Sequence, residues 1–430
     1  MEAALIGFAC LLVLILLRVP IAFAMAIVGV AGFSILVGWR PAFAMVGRVV
    51  FDNALSYGLS VVPLFILMGN FVTRAGLSDR LYAAAHSWLG HRRGGLAMAT
   101  VVACGGFSAV CGSSLATAAT MARVAMPSMR RYGYADSLAA GSIAAGGTLG
   151  ILIPPSVILI LYGVMTSQDI GMLFAAGLVP GLLGILLYLA AVRLATARNP
   201  DLGPRAERAT GRERLKALGR VWGVLLLFVV VMGGIYGGVF TPTEAAGIGA
   251  AGALVFARLQ GGLSFSDLVE VLTETAVTTA TVFAVLFGAL LFSNFINVAG
   301  LPSALASWAG GLDLPPAAIV ACMLAVYLVL GCVLESLSMV LLTVPVFYPL
   351  VQQLGLDLVW FGVLVVVVTE ISLITPPVGL NVYVLRSVLP DVRAETIFRG
   401  ILPFILADVV RLALIAGVPA ITLLLPSVLR

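Results

Sequence analysis

Paired prolines interrupt two apolar stretches of this sequence, each beside a small hydroxyl side chain. Pro154-Pro155 precedes Ser156, Pro376-Pro377 follows Thr375, and the two pairs lie 222 positions apart. A proline nitrogen carries no hydrogen, so each pair leaves helix carbonyls of the preceding turn without a backbone donor. Carbonyl, hydroxyl and amide oxygens are the ligands that hard cations prefer. The spacing therefore predicts two cation-binding breaks at corresponding positions.

The oxygens of these breaks can be named from the helical register. The carbonyls four residues before the prolines are those of Gly150, Ile151, Ser372 and Leu373. The nearby polar side chains are Thr148 and Ser156 in the first break and Ser372, Thr375 and Asn381 in the second. An unsatisfied carbonyl inside a membrane costs several kcal/mol, so each needs a partner from protein, water or an ion. A plain proline kink, with serine or threonine hydroxyls as those partners, is the alternative.

Each half also carries a short polar break inside another apolar segment. In Gly112-Ser113-Ser114 the glycine permits a tight reversal, and the serines can cap the helix that follows. The N-terminus of that helix presents free N–H groups and a partial positive charge, which suit a carboxylate. A solvent-facing turn with the same caps is the alternative.

Two charged residues near these breaks have open roles. Arg123, alone in its apolar arm, could pair with a substrate or with a neighbouring helix. Glu335, beside Ser336 in the second break, could cap the next helix or lie near a cation.

The breaks belong to a longer internal repeat. Ser114 and Ser336 are also 222 positions apart, and Asn70 recurs as Asn294 at an offset of 224. Broken hydrophobic segments at corresponding positions of two halves are typical of a secondary transporter whose site lies where the halves meet. We predict a first repeat at 1–192 with a hairpin near 96–129, a basic linker at 193–220, and a second repeat at 221–430 with a hairpin near 317–350.

Composition indicates a membrane protein. Hydrophobic residues make up 61% of the 430 residues and charged residues 10%, against about 25% charged in a soluble domain. Continuous apolar stretches such as 21–37 and 221–239 indicate helices, because barrel strands would alternate. We therefore predict an all-α polytopic membrane protein with two repeats, each holding a Pro-Pro-broken helix and a hairpin. The hairpin arms, at roughly 15 residues, are too short to span, so we expect re-entrant hairpins.

The net charge of +5 is concentrated in one segment, because 8 of the 24 Lys and Arg lie in 193–220. A basic loop between membrane segments is cytoplasmic under the positive-inside rule. Binding of a phosphate-bearing partner there is the alternative, and we expect no nucleic-acid partner. The five cysteines form no CxxC pair, so neither a disulfide nor a metal framework is predicted.

Five motifs occur in a characteristic order: Pro20 to Ala24, Gly112 to Ala118, Gly150 to Ser156, Phe240 to Ala246 and Thr375 to Asn381. Together they resemble the large membrane subunit of tripartite ATP-independent periplasmic (TRAP) transporters of the dicarboxylate and sialic acid type, over nearly the whole chain. The resemblance implies inverted repeats, two re-entrant hairpins and sodium-driven import by an elevator-like movement. The first tip often reads Ser-Gly-Ser in that family, and Cys111 stands here in the first place.

The resemblance also implies partners that this chain does not contain, namely a soluble periplasmic substrate-binding protein and a small four-helix membrane subunit. It implies a multi-pass protein of the bacterial inner membrane, in contact with membrane lipid. The transported molecule would be a small organic anion, a carboxylate by preference. No cofactor is expected, and Na+ serves as the coupling ion.

Symmetry leads us to expect that each hairpin tip meets the Pro-Pro break of its own half, forming two sodium sites beside the substrate. The expected sodium-binding residues are Ser113, Ser114, Gly150, Ile151, Ser156, Ser336, Ser372, Leu373, Thr375, Gly379 and Asn381. The expected substrate contacts are Gly112, Ser113, Thr148, Pro155, Ser336 and Pro377.

Other function classes lack their sequence signals. No HExxH, GxSxG or Asp-rich motif of an enzyme occurs, and no GxxxxGK[ST] sequence of a nucleotide-driven pump. A proton-coupled carrier that works without a binding protein, or an anion channel, is the alternative to a sodium-coupled carrier. The sequence does not identify the substrate.

Overall fold

The computed structural model describes residues 2–311 and 314–429, apart from the side chains at positions 261 and 309, and every regular element in these ranges is a helix. The helices are α1 (Glu2–Leu16), α2 (Ile21–Val37), α3 (Trp39–Ala54), α4 (Val61–Arg74), α5 (Leu77–Leu89), α6 (Gly95–Cys111), α7 (Ser114–Arg131), α8 (Asp136–Thr148), α9 (Val157–Thr166), α10 (Ile170–Arg198), α11 (Gly211–Leu218), α12 (Trp222–Tyr236), α13 (Pro242–Gly261), α14 (Phe265–Val298), α15 (Leu301–Gly310), α16 (Pro316–Gly331), α17 (Ser336–Gln353), α18 (Leu358–Ile374), α19 (Leu380–Val388), α20 (Ala394–Gly417) and α21 (Ala420–Leu429). Short 3-10 turns cover 57–60, 149–151 and 200–202. The predicted all-α fold class is confirmed.

Five helices in the described ranges are long and apolar enough to cross a membrane: Tyr57–Arg74, which joins a 3-10 turn to α4, and α10, α14, α17 and α20. A sixth results if α11 and α12, bent by 48° at their junction, count as one span. The four arms of the predicted hairpins, α6, α7, α16 and α17, hold 17, 18, 16 and 18 residues. The arms are longer than the roughly 15 residues expected from the sequence, because the tips between them take up few residues. That the hairpins re-enter the membrane stays a prediction.

Helices of the two halves interleave. In the first half α2, α4, α8 and α10 pack against α14, α13, α20 and α18 of the second. The approach of α8 to α20 is backbone to backbone, since a Cβ at Gly141 would clash with the carbonyl of Gly400, and one at Gly400 with the carbonyl of Ser137. Small residues permit such contacts between helices in lipid. The predicted repeats are therefore not two spatially separate bodies.

The predicted linker at 193–220 is partly helical, because α10 continues to Arg198 and α11 starts at Gly211. Its middle lies against the loop between α5 and α6. The N–H of Ala206 donates to the carbonyl of Gly90 at 3.0 Å, and the N–H of Gly94 donates to the carbonyl of Gly203 at 2.8 Å. These bonds fix the path of the linker and bury Ala206.

Three charged side chains and a tyrosine, all with no exposed surface, meet where α10, α18 and α20 pack together. The Arg411 guanidinium pairs with the carboxylates of Glu370 and Asp408, the latter at 2.8 Å. The hydroxyl of Tyr188 donates to Asp408 Oδ2 at 2.6 Å. On α10, Gly184 leaves the space that the guanidinium occupies, because a Cβ there would clash with Arg411 Nη1. We call these four residues, Tyr188, Glu370, Asp408 and Arg411, the buried ionic cluster.

The buried ionic cluster reaches toward both Pro-Pro breaks. Thr148, the last residue of α8, places its hydroxyl 3.3 Å from the hydroxyl of Tyr188. Glu370 lies near the end of α18, which stops at Ile374 just before the second break. A chain of buried polar contacts therefore runs from Thr148, beside the first break, through Tyr188, Asp408 and Arg411 to Glu370 on α18.

We predict that Arg411→Met destabilises the protein by about 3–5 kcal/mol, because it leaves two carboxylates buried without their cation. Neutralising Glu370 and Asp408 in the same chain, as Gln and Asn, should recover most of this loss. The matched control is Arg399→Met on the exposed face of α20, which should change stability by no more than about 0.5 kcal/mol. Denaturant unfolding of the purified chain in detergent measures the difference. Equal effects of Arg411→Met and Arg399→Met would contradict the prediction.

We also predict that the linker faces the cytoplasm, because its basic residues follow the positive-inside rule. The exposed Glu207 is the position to label, whereas its neighbour Ala206 is buried. In a variant free of the native cysteines, Glu207→Cys should resist impermeant maleimides in intact cells and react once the cells are opened. Rapid labelling in intact cells would reverse the assigned orientation.

Candidate functional site

The first hairpin tip consists of two residues between α6 and α7. Gly112 has a φ of 63°, in the left-handed region that favours glycine. Ser113 caps α7, since its hydroxyl accepts a hydrogen bond from the N–H of Ala116 at 3.4 Å. The positive N-terminal end of α7 is thus held at the tip by a neutral side chain.

The first break covers residues 149–156, and its Pro154-Pro155 peptide bond is cis. The Ser156 hydroxyl caps α9 by accepting from the N–H of Leu159 at 3.3 Å, and it donates to the carbonyl of Ile151. One of the carbonyls named from the sequence therefore has a hydroxyl partner within the chain. This is the contact that the plain-kink alternative requires, and it leaves the second lone pair of the Ser156 oxygen unused by the backbone.

The first tip and the first break are in direct backbone contact. A Cβ at Gly150 would lie 2.9 Å from the carbonyl oxygen of Ser113, and one at Gly112 would lie 3.1 Å from the carbonyl oxygen of Pro155. Any larger side chain at Gly112 or Gly150 would push the two segments apart. The structure therefore brings together Gly112, Ser113, Gly150 and Pro155.

The second hairpin tip, residues 332–335, has a different cap. Glu335 precedes α17, and its carboxylate accepts from the N–H of Ser338 at 3.1 Å. The hydroxyl of Ser336 donates to the same carboxylate at 3.2 Å. Of the two roles left open for Glu335, capping is the one that the structure shows. A carboxylate thus already occupies the positive end of α17.

The second break covers residues 375–379 between α18 and α19. Thr375 donates its hydroxyl to the carbonyl of Ile371 at 2.6 Å, and Ser372 donates to the carbonyl of Thr369 at 2.7 Å. Both bonds are local to α18. The remaining predicted residues of this break are Leu373, buried near the end of α18, Pro377, exposed, and Gly379, which precedes α19 with a φ of 61°. The break contacts the second tip, because Cys332 Sγ lies 3.6 Å from the carbonyl oxygen of Pro376.

Asn381, at the start of α19, joins the two halves. Its Oδ1 accepts from the hydroxyl of Ser114 at 2.9 Å, and its Nδ2 donates to the carbonyl of Ala144 at 3.0 Å. The sequence grouped Asn381 with Ser336, whereas the structure places it against the first hairpin tip and α8. A fully buried amide needs both a donor and an acceptor as partners, and it finds both in the other half.

Two further predicted residues lie elsewhere. Thr148 donates its hydroxyl to the carbonyl of Ala145 at 2.7 Å and faces Tyr188, so it belongs to the polar chain of the buried ionic cluster. Arg123 is exposed on α7. Within the described part of the chain, the side chains of Thr148 and Arg123 form no hydrogen bond with Gly112 or Ser113.

The proline pairs of the two breaks differ in solvent exposure. Pro154-Pro155 is buried, whereas Pro376-Pro377 is exposed. The second break therefore opens to the outside of the chain while the first is sealed by the surrounding helices.

The sequence reasoning missed the buried ionic cluster, although a signal was present. Glu370 and Arg411 each stand in an otherwise apolar run, and Asp408 precedes Arg411 by three positions on one helix face. Isolated ionisable residues inside membrane helices mark functional or structural sites. The pairing of Glu370 with Arg411 could not be predicted from the sequence, because the two residues lie on different helices.

The chain is similar in sequence and in fold to known proteins. The family described as "Tripartite ATP-independent periplasmic transporter, DctM component" matches residues 8–421. The C4-dicarboxylate TRAP transporter large permease protein DctM of Pseudomonas aeruginosa is 38% identical over 380 residues, which cover 88% of each chain. The isethionate TRAP transporter permease protein DctMQ of Oleidesulfovibrio alaskensis is 32% identical over 404 residues, 94% of this chain and 63% of that one.

Among solved structures, the YdaH transporter of Alcanivorax borkumensis has a TM-score of 0.67 at 16% identity and covers 89% of both chains, so the likeness concerns the fold alone. The family match spans nearly the whole sequence, and the apolar helices agree with a multi-pass protein of the inner membrane. The chain belongs to the DctM family of tripartite ATP-independent periplasmic transporters and is the large membrane permease of such a system, not an enzyme.

Proposed function

We propose that this chain imports a small organic anion, a carboxylate, in symport with sodium ions, and that a soluble periplasmic binding protein delivers the anion. The names of the relatives support the substrate class, since a C4-dicarboxylate and sialic acid are carboxylates. Isethionate, a sulfonate, supports the broader class of small organic anions. The observation that carries the proposal is the Asn381 bridge, which docks the second break onto the first hairpin tip through Ser114. Broken helices that meet between two halves form the ion and substrate sites of secondary transporters.

The anion fits the first tip better than the second. Glu335 already presents a carboxylate to the N-terminus of α17, whereas Ser113 caps α7 with a neutral hydroxyl. A substrate carboxylate at α7 would meet free N–H groups and the positive helix end without competing with a fixed charge. We therefore propose that Gly112, Ser113 and Pro155 contact the carboxylate and that Ser336 and Pro377 contact the same substrate. Ser113 and Ser336 are also proposed to coordinate sodium.

Sodium suits the oxygens that surround the breaks. The hydroxyls of Ser156, Ser372 and Thr375 each donate to a helix carbonyl, so their remaining lone pairs can only accept or coordinate. A hydroxyl can therefore satisfy a freed carbonyl and still be a cation ligand. These neutral oxygens, together with backbone carbonyls, match a hard monovalent cation without requiring a carboxylate ligand.

A specific observation supports proton coupling as the second candidate. The buried ionic cluster contains two carboxylates, Glu370 and Asp408, for one guanidinium, Arg411. A buried acid in excess of base is a proton-carrying arrangement in membrane transporters. Two uptake measurements separate sodium coupling from proton coupling. Sodium coupling requires uptake driven by a sodium gradient at equal pH on both sides, and proton coupling requires uptake driven by a pH gradient without sodium.

We infer that transport proceeds by alternating access, with the helices around the tips moving as one elevator-like body. The second break is exposed in this structure and the first break is buried. Such a movement would bury the second break and expose the first.

We predict that Asn381→Ala lowers the apparent sodium affinity of uptake about 5- to 150-fold, which is the scale of a coupling free energy of 1–3 kcal/mol. The reason is that it removes the amide that holds the second break on Ser114. Ser113→Ala, Ser336→Ala and Thr375→Ala should act in the same direction with smaller effects. Asn294→Ala is the matched control, because that amide only donates to the carbonyl of Leu290 on its own helix.

The measurement is sodium-dependent uptake of radiolabelled succinate and of isethionate into proteoliposomes that contain the permease, its small membrane subunit and its binding protein. Sodium activation curves that coincide for wild type and all four site variants, each correctly folded, would refute the sodium sites.

We further predict that uptake by this chain requires the small membrane subunit. The matching family is described as a tripartite transporter of which DctM is one component, so we expect the second membrane component to contribute to transport. Proteoliposomes with this chain and the binding protein alone should show uptake near background, and adding the small subunit should restore it. Full uptake by this chain without the small subunit would disprove the requirement.

A further inference from the structure

An open cleft of about 660 Å³ lies where the loop between α5 and α6 meets the end of α10 and the linker. Four arginines line it: Arg92, Arg93, Arg193 and Arg205. No acidic residue is among its lining residues, and none of the four arginines forms an ion pair within the described part of the chain. Cations gathered in a cleft without counter-charge attract an anion.

The positions of these arginines are fixed by backbone hydrogen bonds. Arg205 lies between Gly203 and Ala206, and both of these neighbours are bonded to the loop that carries Arg92 and Arg93. The linker therefore cannot carry Arg205 away without breaking two bonds. Four cations held together repel each other, so their proximity is stabilised when an anion binds between them.

The histidine of the cleft adds hydrogen-bonding capacity without adding charge. Burial, followed by the guanidiniums of Arg214, Arg208, Arg92 and Arg205, lowers the pKa of His91, so that its ring is neutral at pH 7. Its Nδ1 is buried and has no hydrogen-bond partner among the described residues. A neutral imidazole can donate to a phosphate oxygen with one of its two nitrogens.

The other wall of the cleft is apolar and adjoins the lipid-facing side of α10. Leu89, Met98 and Leu189 line this wall. On the outer face of α10, a candidate membrane span, Leu186 and Leu194 are 63% and 62% exposed. Arginines at the end of an apolar span lie at the headgroup level of the membrane. The cleft thus combines cationic side chains, which suit a phosphate, with an apolar wall, which suits hydrocarbon.

We propose that this cleft binds the phosphodiester headgroup of an anionic phospholipid, with Arg92, Arg93 and Arg205 on the phosphate and the wall of Leu89 and Leu189 on the glycerol and first methylenes. A free phosphate would satisfy only the arginines, whereas a phospholipid also covers the apolar wall. None of the residues that line the cleft belongs to a Pro-Pro break or to a hairpin tip, so the inference does not depend on the sodium or substrate assignments.

The test uses the full-length chain purified in detergent. Native mass spectrometry measures binding of dioleoylphosphatidylglycerol, of dioleoylphosphatidylcholine and of inorganic phosphate. The cleft variant is Arg92→Gln/Arg93→Gln/Arg205→Gln. The control is Arg212→Gln/Lys216→Gln/Arg220→Gln, which removes the same charge from exposed positions of the same basic segment outside the cleft.

We expect phosphatidylglycerol to bind the wild type tightly and the cleft variant on the order of 100-fold more weakly, at about fivefold per arginine removed. The control should change by less than about fivefold, and Arg205→Gln alone should weaken binding about fivefold, which keeps the test valid if the triple variant misfolds. Equal losses in the cleft and control variants, or equal binding of phosphatidylcholine, would overturn the proposal. Inorganic phosphate that binds as tightly as phosphatidylglycerol would also overturn it, because the ligand would then be free phosphate.

Discussion

Backbone that is broken inside a membrane must find its polar partners within the protein, since the hydrocarbon offers none. This need explains why the first break is sealed against the first hairpin tip, where Gly112 and Gly150 allow two backbones to touch. It also explains why Ser156 and Thr375 turn their hydroxyl protons toward helix carbonyls. The same hydroxyl oxygens keep lone pairs for other ligands. Under the proposed function, the atoms that satisfy the broken backbone are therefore also the atoms that bind the ligand.

The buried ionic cluster also shows that polar groups inside the protein need partners there, and in this case the partners come from different helices. Arg411 can be buried only if the carboxylates of Glu370 and Asp408 stand beside it, and this requires α18 and α20 to be packed together. Tyr188 adds α10 and connects the cluster to Thr148 at the first break. Because α10 comes from the first half and α18 and α20 from the second, the hydrogen bond from Tyr188 to Asp408 joins the two halves at the cluster. Water cannot replace a missing partner at this depth.

The two halves of the chain present different chemistry at the tips between α6 and α7 and between α16 and α17. One helix N-terminus is capped by the neutral Ser113 and the other by the carboxylate of Glu335. One proline pair is buried and the other exposed. An anion and a cation need opposite electrostatic surroundings, so this difference agrees with the proposal that the chain binds both. Asn381 then ties the second break to the first tip, which places the two surroundings next to each other.

Local chemistry by itself determined the membrane class, the helical fold, the two Pro-Pro breaks and the capping of α7, because proline geometry, serine caps and apolar composition act within a few residues. It did not determine the partners of those elements. The helices α3 and α11 were not predicted although they pack little: α3 buries only Ala42, and α11 begins with a capping box formed by Thr210 and Glu213. Glu370 and Arg411 were visible as isolated charges, yet only the packing of α18 against α20 made them a pair. Asn381 likewise found Ser114 and Ala144 in the other half, since a buried amide takes whichever donor and acceptor the tertiary fold brings within reach.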